Sequence, residues 1–176
     1  MARRLVVVSG APGAGKSTVA GPLAEQLGFP LLAKDVIKES LFDELGPIDA
    51  DERVSSQRLG AAAMELLWRL AAQCPSVVVE ANFRPATAHE RARLVALTDH
   101  PVEVHCRVPI ELAQTRFEQR ATWPGHHPVH VARSLPAEVY EACAEPFGLG
   151  PVIEVDTARP VDLAALVAHV QAALEP

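Results

Sequence analysis

The segment Gly10-Ala11-Pro12-Gly13-Ala14-Gly15-Lys16-Ser17, with Thr18 next, sets glycines, one lysine and a hydroxyl at the spacing Gly-x4-Gly-Lys-Ser. Chemistry explains the spacing. Glycines let the backbone wrap so that successive N–H groups point inward at phosphate oxygens, and a helix starting there adds its positive end. Lys16 then reaches the β- and γ-phosphates, while the Ser17 hydroxyl ligates Mg²⁺. A chance match in a glycine-bearing turn is the bland alternative. Against it stands the context: an apolar run, Leu5–Val8, precedes the segment and a helical pattern follows it.

Several users of such a loop are excluded. A GTPase reads guanine with Asn-Lys-x-Asp, but the single asparagine here is Asn82, followed by Phe83. Asp43-Glu44-Leu45-Gly46 fits a switch pattern in letters alone, because it lies at a helix end. Transporter ATPases carry a Ser-Gly-Gly signature, and this chain has no Gly-Gly pair. Small kinases remain.

Further motifs follow in order. They are Asp35-Val36-Ile37-Lys38, Val79-Glu80-Ala81-Asn82, Val104-His105-Cys106-Arg107-Val108, the pair Arg116 and Arg120, and Asp156-Thr157 after a last strand. With Gly10–Thr18 they make the chain resemble the P-loop small-kinase group that contains adenylate, shikimate and gluconate kinases. Within it, the chain is most similar to the branch with chloramphenicol phosphotransferase, zeta-toxin-like kinases and the polynucleotide 5′-kinase domain. The resemblance spans nearly the whole chain. It implies a three-layer α/β fold whose five-stranded parallel sheet has the order 2-3-1-4-5.

It also implies roles. Asp35 follows the second strand, where this group places the carboxylate that takes the proton from the acceptor hydroxyl; a helix N-cap is its other reading. Lys38, one turn on, would face the same side and hold an acceptor or a phosphate, or stand as a solvated lysine. Glu80 occupies the position of the carboxylate that holds Mg²⁺ through water, although family members often carry the shorter aspartate there. Asn82 and Arg84 follow in the crevice beyond the strand ends, or make a polar strand-to-helix turn. Arg116 and Arg120 project from one side of a helix, the first to pack on adenine, the second to meet the phosphates during transfer. Pairing with Glu118 is the alternative for both. Arg159-Pro160 matches the region that lines adenine, or is simply a turn before the final helix.

The elements that must carry these residues are legible in outline. A strand at Leu5–Val8 leads to a helix with Val19, Leu23 and Leu27, ended by Gly28 and interrupted by Pro22. Pro30–Ala33 is a weak second strand, and a helix with Ile37, Leu41 and Leu45 stops at Gly46-Pro47. A long helix over Asp51–Gln73 shows Leu59, Ala63, Leu66 and Leu70 on one face, before the strand Val77–Val79. A helix over Pro85–Leu97, a strand over Val102–Val108 and a helix from Pro109 to Arg120 come next. The stretch 121–135 holds Trp123, His126, His127 and His130 with no apolar period, which predicts a long mobile loop. It reads as a lid over the nucleotide, with a solvated loop as the alternative and a zinc site disfavoured for want of a cysteine or carboxylate cluster. A short helix Pro136–Ala144, a strand Val152–Val155 and a helix through Leu174 close the chain.

Length and composition agree with one domain over residues 1–176. The 176 residues are 49 % hydrophobic and 22 % charged, which excludes wholesale disorder. A net charge of −6 and 5 % aromatic residues do not favour a nucleic-acid partner, which calls for a basic groove and stacking platforms. Cys74, Cys106 and Cys143 are far apart, as suits reduced thiols in the cytoplasm. Met1-Ala2-Arg3-Arg4 and the apolar residues after it resemble a signal peptide, but the apolar core is too short, and no run suits a membrane helix. The expectation is an ATP- and Mg²⁺-dependent phosphotransferase acting on a hydroxyl of a small molecule. A polynucleotide 5′-hydroxyl kinase and a nucleotide-binding module without turnover are the alternatives.

Overall fold

The computed structural model describes residues 3–175; Met1 and Ala2 of the apolar opening, and Pro176, lie outside it. Five strands form one wholly parallel sheet: β1 (Arg4–Ser9), β2 (Leu31–Ala33), β3 (Ser76–Glu80), β4 (Val102–Arg107) and β5 (Val152–Asp156). Their order is β2-β3-β1-β4-β5, as the resemblance implies. Among the described residues seven helices accompany them, six in the connections and α7 after the last strand: α1 (Lys16–Leu27), α2 (Lys34–Leu45), α3 (Glu52–Ala71), α4 (Ala88–Leu97), α5 (Ile110–Ala121), α6 (Ala137–Glu141) and α7 (Leu163–Leu174). Among the described residues no helix is long and apolar enough to cross a membrane.

Both faces of the sheet are covered, which explains the unbroken apolar runs. Val6 and Val8 face α1 and α7, joined by Val19, Leu23, Val104 and Leu166. Leu5 and Val7 face the opposite way with Val77 and Val79, under Leu67, Trp68 and Leu94. The register sets Val8 beside Glu80 and Ser9 beside His105, so β1, β3 and β4 end at one level. Ligands of open α/β sheets bind in the crevice beyond such ends.

One helix face and two helix starts differ from expectation. The buried face of α3 runs through Leu59, Ala63, Leu67, Trp68 and Ala71, while Leu66 is half-buried and Leu70 exposed. Trp68 causes the rotation: its ring packs on Phe83 at 5.4 Å and turns that side of the helix inward. The helix expected from Pro85 begins at Ala88 instead. Arg84–Thr87 forms a turn first, closed by the Thr87 hydroxyl donating to the Arg84 carbonyl and by Glu90 accepting the Arg84 N–H. Asp35 does not cap α2. Ala33 holds that position and Asp35 sits in the first turn. The cap of α3 is Asp51, which accepts the N–H groups of Arg53 and Val54.

Candidate active site

The loop after β1 closes tightly because three glycines adopt positive φ: Gly10 at 136°, Gly13 at 77° and Gly15 at 75°. At Gly13 space matters too, since a Cβ there would lie 2.1 Å from the Ala113 carbonyl oxygen of α5. The loop is also held from β5, where the Thr157 hydroxyl donates to the Ala14 carbonyl at 2.8 Å. Lys16 opens α1 and is 6 % exposed, its Nζ donating to the Ala11 carbonyl at 2.8 Å and to Asn82 Oδ1 at 2.5 Å. Burial pushes its pKa down, against the pull of Glu80 and Asp35. The ammonium is thus stretched across the loop where phosphate oxygens would replace these carbonyl partners.

A cavity of about 200 Å³ lies over the loop, and its wall unites Asp35, Glu80, Asn82, Arg116 and Arg120 with Gly13, Gly15, Lys16, Ser17 and Thr18. Each comes from a different place: the first turn of α2, the end of β3, the turn after it and two turns of α5. Asp35 Oδ1 accepts from Lys34 Nζ at 3.1 Å. Burial raises the Asp35 pKa, yet Lys34, His130 and Lys16 outweigh it and hold the group below its ordinary value, ionised at neutral pH. Glu80 goes the other way: burial raises it, only partly opposed by Lys16, and Asp35 raises it further. The Ser17 hydroxyl points at Glu80 Oε2 from 3.4 Å. A hydroxyl and a buried carboxylate fit the hard oxygen ligands that Mg²⁺ takes.

The arginines of α5 differ in setting. Arg116 donates to the Thr157 carbonyl at 3.1 Å, which ties α5 to the last strand's exit. Arg120 lies over the Phe117 ring at 5.7 Å, with its guanidinium in the cavity wall. Arg159 lines a neighbouring cavity of about 280 Å³ with Thr18, Pro22 and Thr157, on the outer side of α1. The two cavities share Thr18.

Two of the expected charged residues line neither cavity. Arg84 is exposed at the turn before α4. Lys38, 6 % exposed, donates to Ser56 Oγ of α3 at 2.7 Å and to the Val129 carbonyl at 3.3 Å. Burial, with Lys34 adding to it, pushes its pKa down to about 8. The loop 122–136 is correspondingly docked on α2. His130 meets Glu39 at 2.7 Å and His127 meets Asp43 at 3.0 Å, with Val129 inserted below them. Burial lowers the His130 pKa, against Asp35 and Glu39. Thr157 is the residue that sequence reasoning passed over as a loop anchor. Its signal was a hydroxyl just past the last strand, in a sheet order that brings that end toward the phosphate loop.

Comparisons with known proteins agree with this fold. A family model described as an AAA domain matches residues 5–142. Among solved structures, a candidate kinase from Chloroflexus aurantiacus j-10-fl is 31 % identical, covering 99 % of this chain and 100 % of its own, with a TM-score of 0.85. A gluconokinase from Sinorhizobium meliloti 1021 is 21 % identical over 97 % of this chain and 91 % of its own, with a TM-score of 0.58. An APS kinase from Mycobacterium tuberculosis, in complex with AMPPNP and APS, is 22 % identical over 99 % of both chains, with a TM-score of 0.55. These last two likenesses show a shared fold. No curated protein matches the chain.

Proposed function

From the premise that this chain belongs to the AAA domain family, in its P-loop small-kinase group, we propose that it moves the γ-phosphate of ATP to a hydroxyl of a small molecule. The comparisons support the coarser statement, a nucleotide-binding phosphotransferase. The finer one is carried by one observation: Asp35, Glu80, Asn82, Arg116 and Arg120 converge on the phosphate loop in a single cavity.

In this reading the loop N–H groups and Lys16 bind the β- and γ-phosphates, and Lys16 gives up its bonds to Ala11 and Asn82 to do so. Ser17 and Glu80 would hold Mg²⁺, which when bound would neutralise phosphate charge. Asp35, ionised at neutral pH, orients the acceptor hydroxyl in line with the γ-phosphoryl group and takes its proton. Arg120 meets the charge that moves onto the phosphoryl oxygens, and Arg116 and Arg159 border the base. Positioning and electrostatics then do most of the catalysis. Lys38 supports the acceptor wall by joining α2 to α3 and to the docked loop, and Arg84 meets the acceptor from the rim.

The test is transfer of labelled γ-phosphate from Mg-ATP to a panel of hydroxylated metabolites, antibiotics and a 5′-hydroxyl oligonucleotide. Label is expected on a small molecule, and Asp35→Asn is expected to lower the rate about 10²–10⁴-fold with ATP affinity retained. Label on the oligonucleotide alone replaces this reading with a polynucleotide kinase. ATP binding with no transfer to any acceptor favours a binding module.

A further inference from the structure

Strand β4 carries two ionisable side chains at alternate positions, Glu103 and His105, so both point to the same face of the sheet. They are 3 % and 1 % exposed, and Ser9, at the end of β1 and paired with His105, is equally buried at 3 %. The Ser9 Oγ lies 2.6 Å from Glu103 Oε1 and 2.8 Å from His105 Nδ1. On the far side of the ring, His105 Nε2 is 2.9 Å from the main-chain carbonyl of Ala144. Glu103 also accepts the main-chain N–H groups of Phe147 and Gly148, each at 3.2 Å.

Counting hydrogens constrains the trio. A carbonyl only accepts, so His105 Nε2 carries a proton. Ser9 has one hydroxyl proton but makes two short contacts. If Ser9 donates to Glu103, its contact with the ring needs a second proton, on His105 Nδ1. If Ser9 donates to Nδ1, its contact with Glu103 needs a proton on the carboxyl. Either way the three side chains hold one proton more than a carboxylate, a hydroxyl and a neutral imidazole together. Among the described residues no lysine or arginine lies within ion-pair distance of Glu103, so its polar partners are Ser9 and the N–H groups of Phe147 and Gly148.

We infer that Glu103, Ser9 and His105 form a buried, proton-sharing tie that positions the phosphate loop against the segment returning from the docked loop to β5. Ser9 is covalently joined to Gly10, where the phosphate loop begins. Ala144, Phe147 and Gly148 belong to the stretch between α6 and β5, which follows the 122–136 loop. All three members are positioning residues. The proton count stands on the contacts alone; the positioning role rests on the phosphotransferase reading.

Two measurements on the full chain decide it. Heteronuclear NMR near neutral pH reads the protons on the His105 ring nitrogens and on the Glu103 carboxyl, with His105→Gln as the assignment control. The wild type is expected to show the extra proton on His105 Nδ1 or on Glu103, and Glu103→Gln is expected to leave the ring protonated at Nε2 alone. A singly protonated His105 beside an ionised Glu103 overturns the inference, and the wild-type spectrum decides this even if a variant fails to fold. Calorimetric ADP binding then tests positioning: Glu103→Gln and Ser9→Ala are expected to weaken it by about fivefold or more, the lower edge of ordinary site-to-site coupling. Unchanged ADP affinity in both variants overturns the positioning role. A wild type that binds no ADP removes the phosphotransferase reading and the positioning role with it, while the proton count is still decided by the spectrum.

Discussion

Two walls stand beside the site, one lining the cavity and one behind Asp35, and they are built by different means. The phosphate-loop wall is continuous in sequence and held by its backbone, through three positive-φ glycines and the Ala14 carbonyl bonded to Thr157. The wall behind Asp35 is assembled from α2, α3 and the 122–136 loop, joined by side chains: Lys38 to Ser56 and Val129, His130 to Glu39, His127 to Asp43. Partners in that wall lie as far as 91 residues apart. A backbone cradle for a fixed triphosphate needs a fixed spacing. A wall for an acceptor needs only that remote side chains meet, and many sequences satisfy that.

The contrast can be broken most directly at Lys16. Lys16→Ala is expected to lower phosphotransfer by about 10²-fold or more, as loss of a charge-stabilising donor does, with thermal unfolding still cooperative. Near-normal turnover in that variant would mean that the first wall does not carry the chemistry.

Lys38→Met probes the second wall through pH. Burial holds the folded Lys38 pKa at about 8, below its ordinary 10.5, so the unfolded chain binds more protons across that window. The penalty for the buried ammonium is therefore full below pH 8 and relieved as pH rises toward 10.5. Denaturant unfolding should show wild-type stability rising relative to Lys38→Met by about 1–3 kcal/mol between those limits. A difference that does not change with pH refutes the buried-cation account.

The smallest effect is expected from His127→Ala, whose partner Asp43 is largely exposed. Stability should change by less than about 1 kcal/mol, as for exposed ion pairs. The KM of the acceptor should rise while that of ATP holds. If both rise by the same factor, the two walls do not act separately.

These differences also explain what could be read in advance. The phosphate loop was legible in local spacing, whereas the sheet order and the places of Asp35, Glu80 and the α5 arginines were implied by the family resemblance that the ordered motifs carry. The face of α3 was not legible, because Leu66 and Leu70 fit a helical stripe as well as Leu67 and Ala71, and the bulk of Trp68 against Phe83 decided between them. The burial of Lys38 depends on Ser56 and Val129, which no local pattern connects to it. The Val-Glu-Val-His run of β4 was visible, but alternation of that kind ordinarily marks a strand with one wet face. A parallel sheet covered on both sides has none, so its polar residues turn inward and must satisfy one another.

Of the chain's two tryptophans, Trp68 is 3 % exposed in the core and Trp123, at the start of the docked loop just after α5, is 66 % exposed. The protein therefore carries two intrinsic fluorophores with separate duties. Trp68 emits from an apolar setting and reports on whether the chain is folded. Trp123 emits from water, is open to collisional quenchers, and registers any movement of the loop without an attached dye.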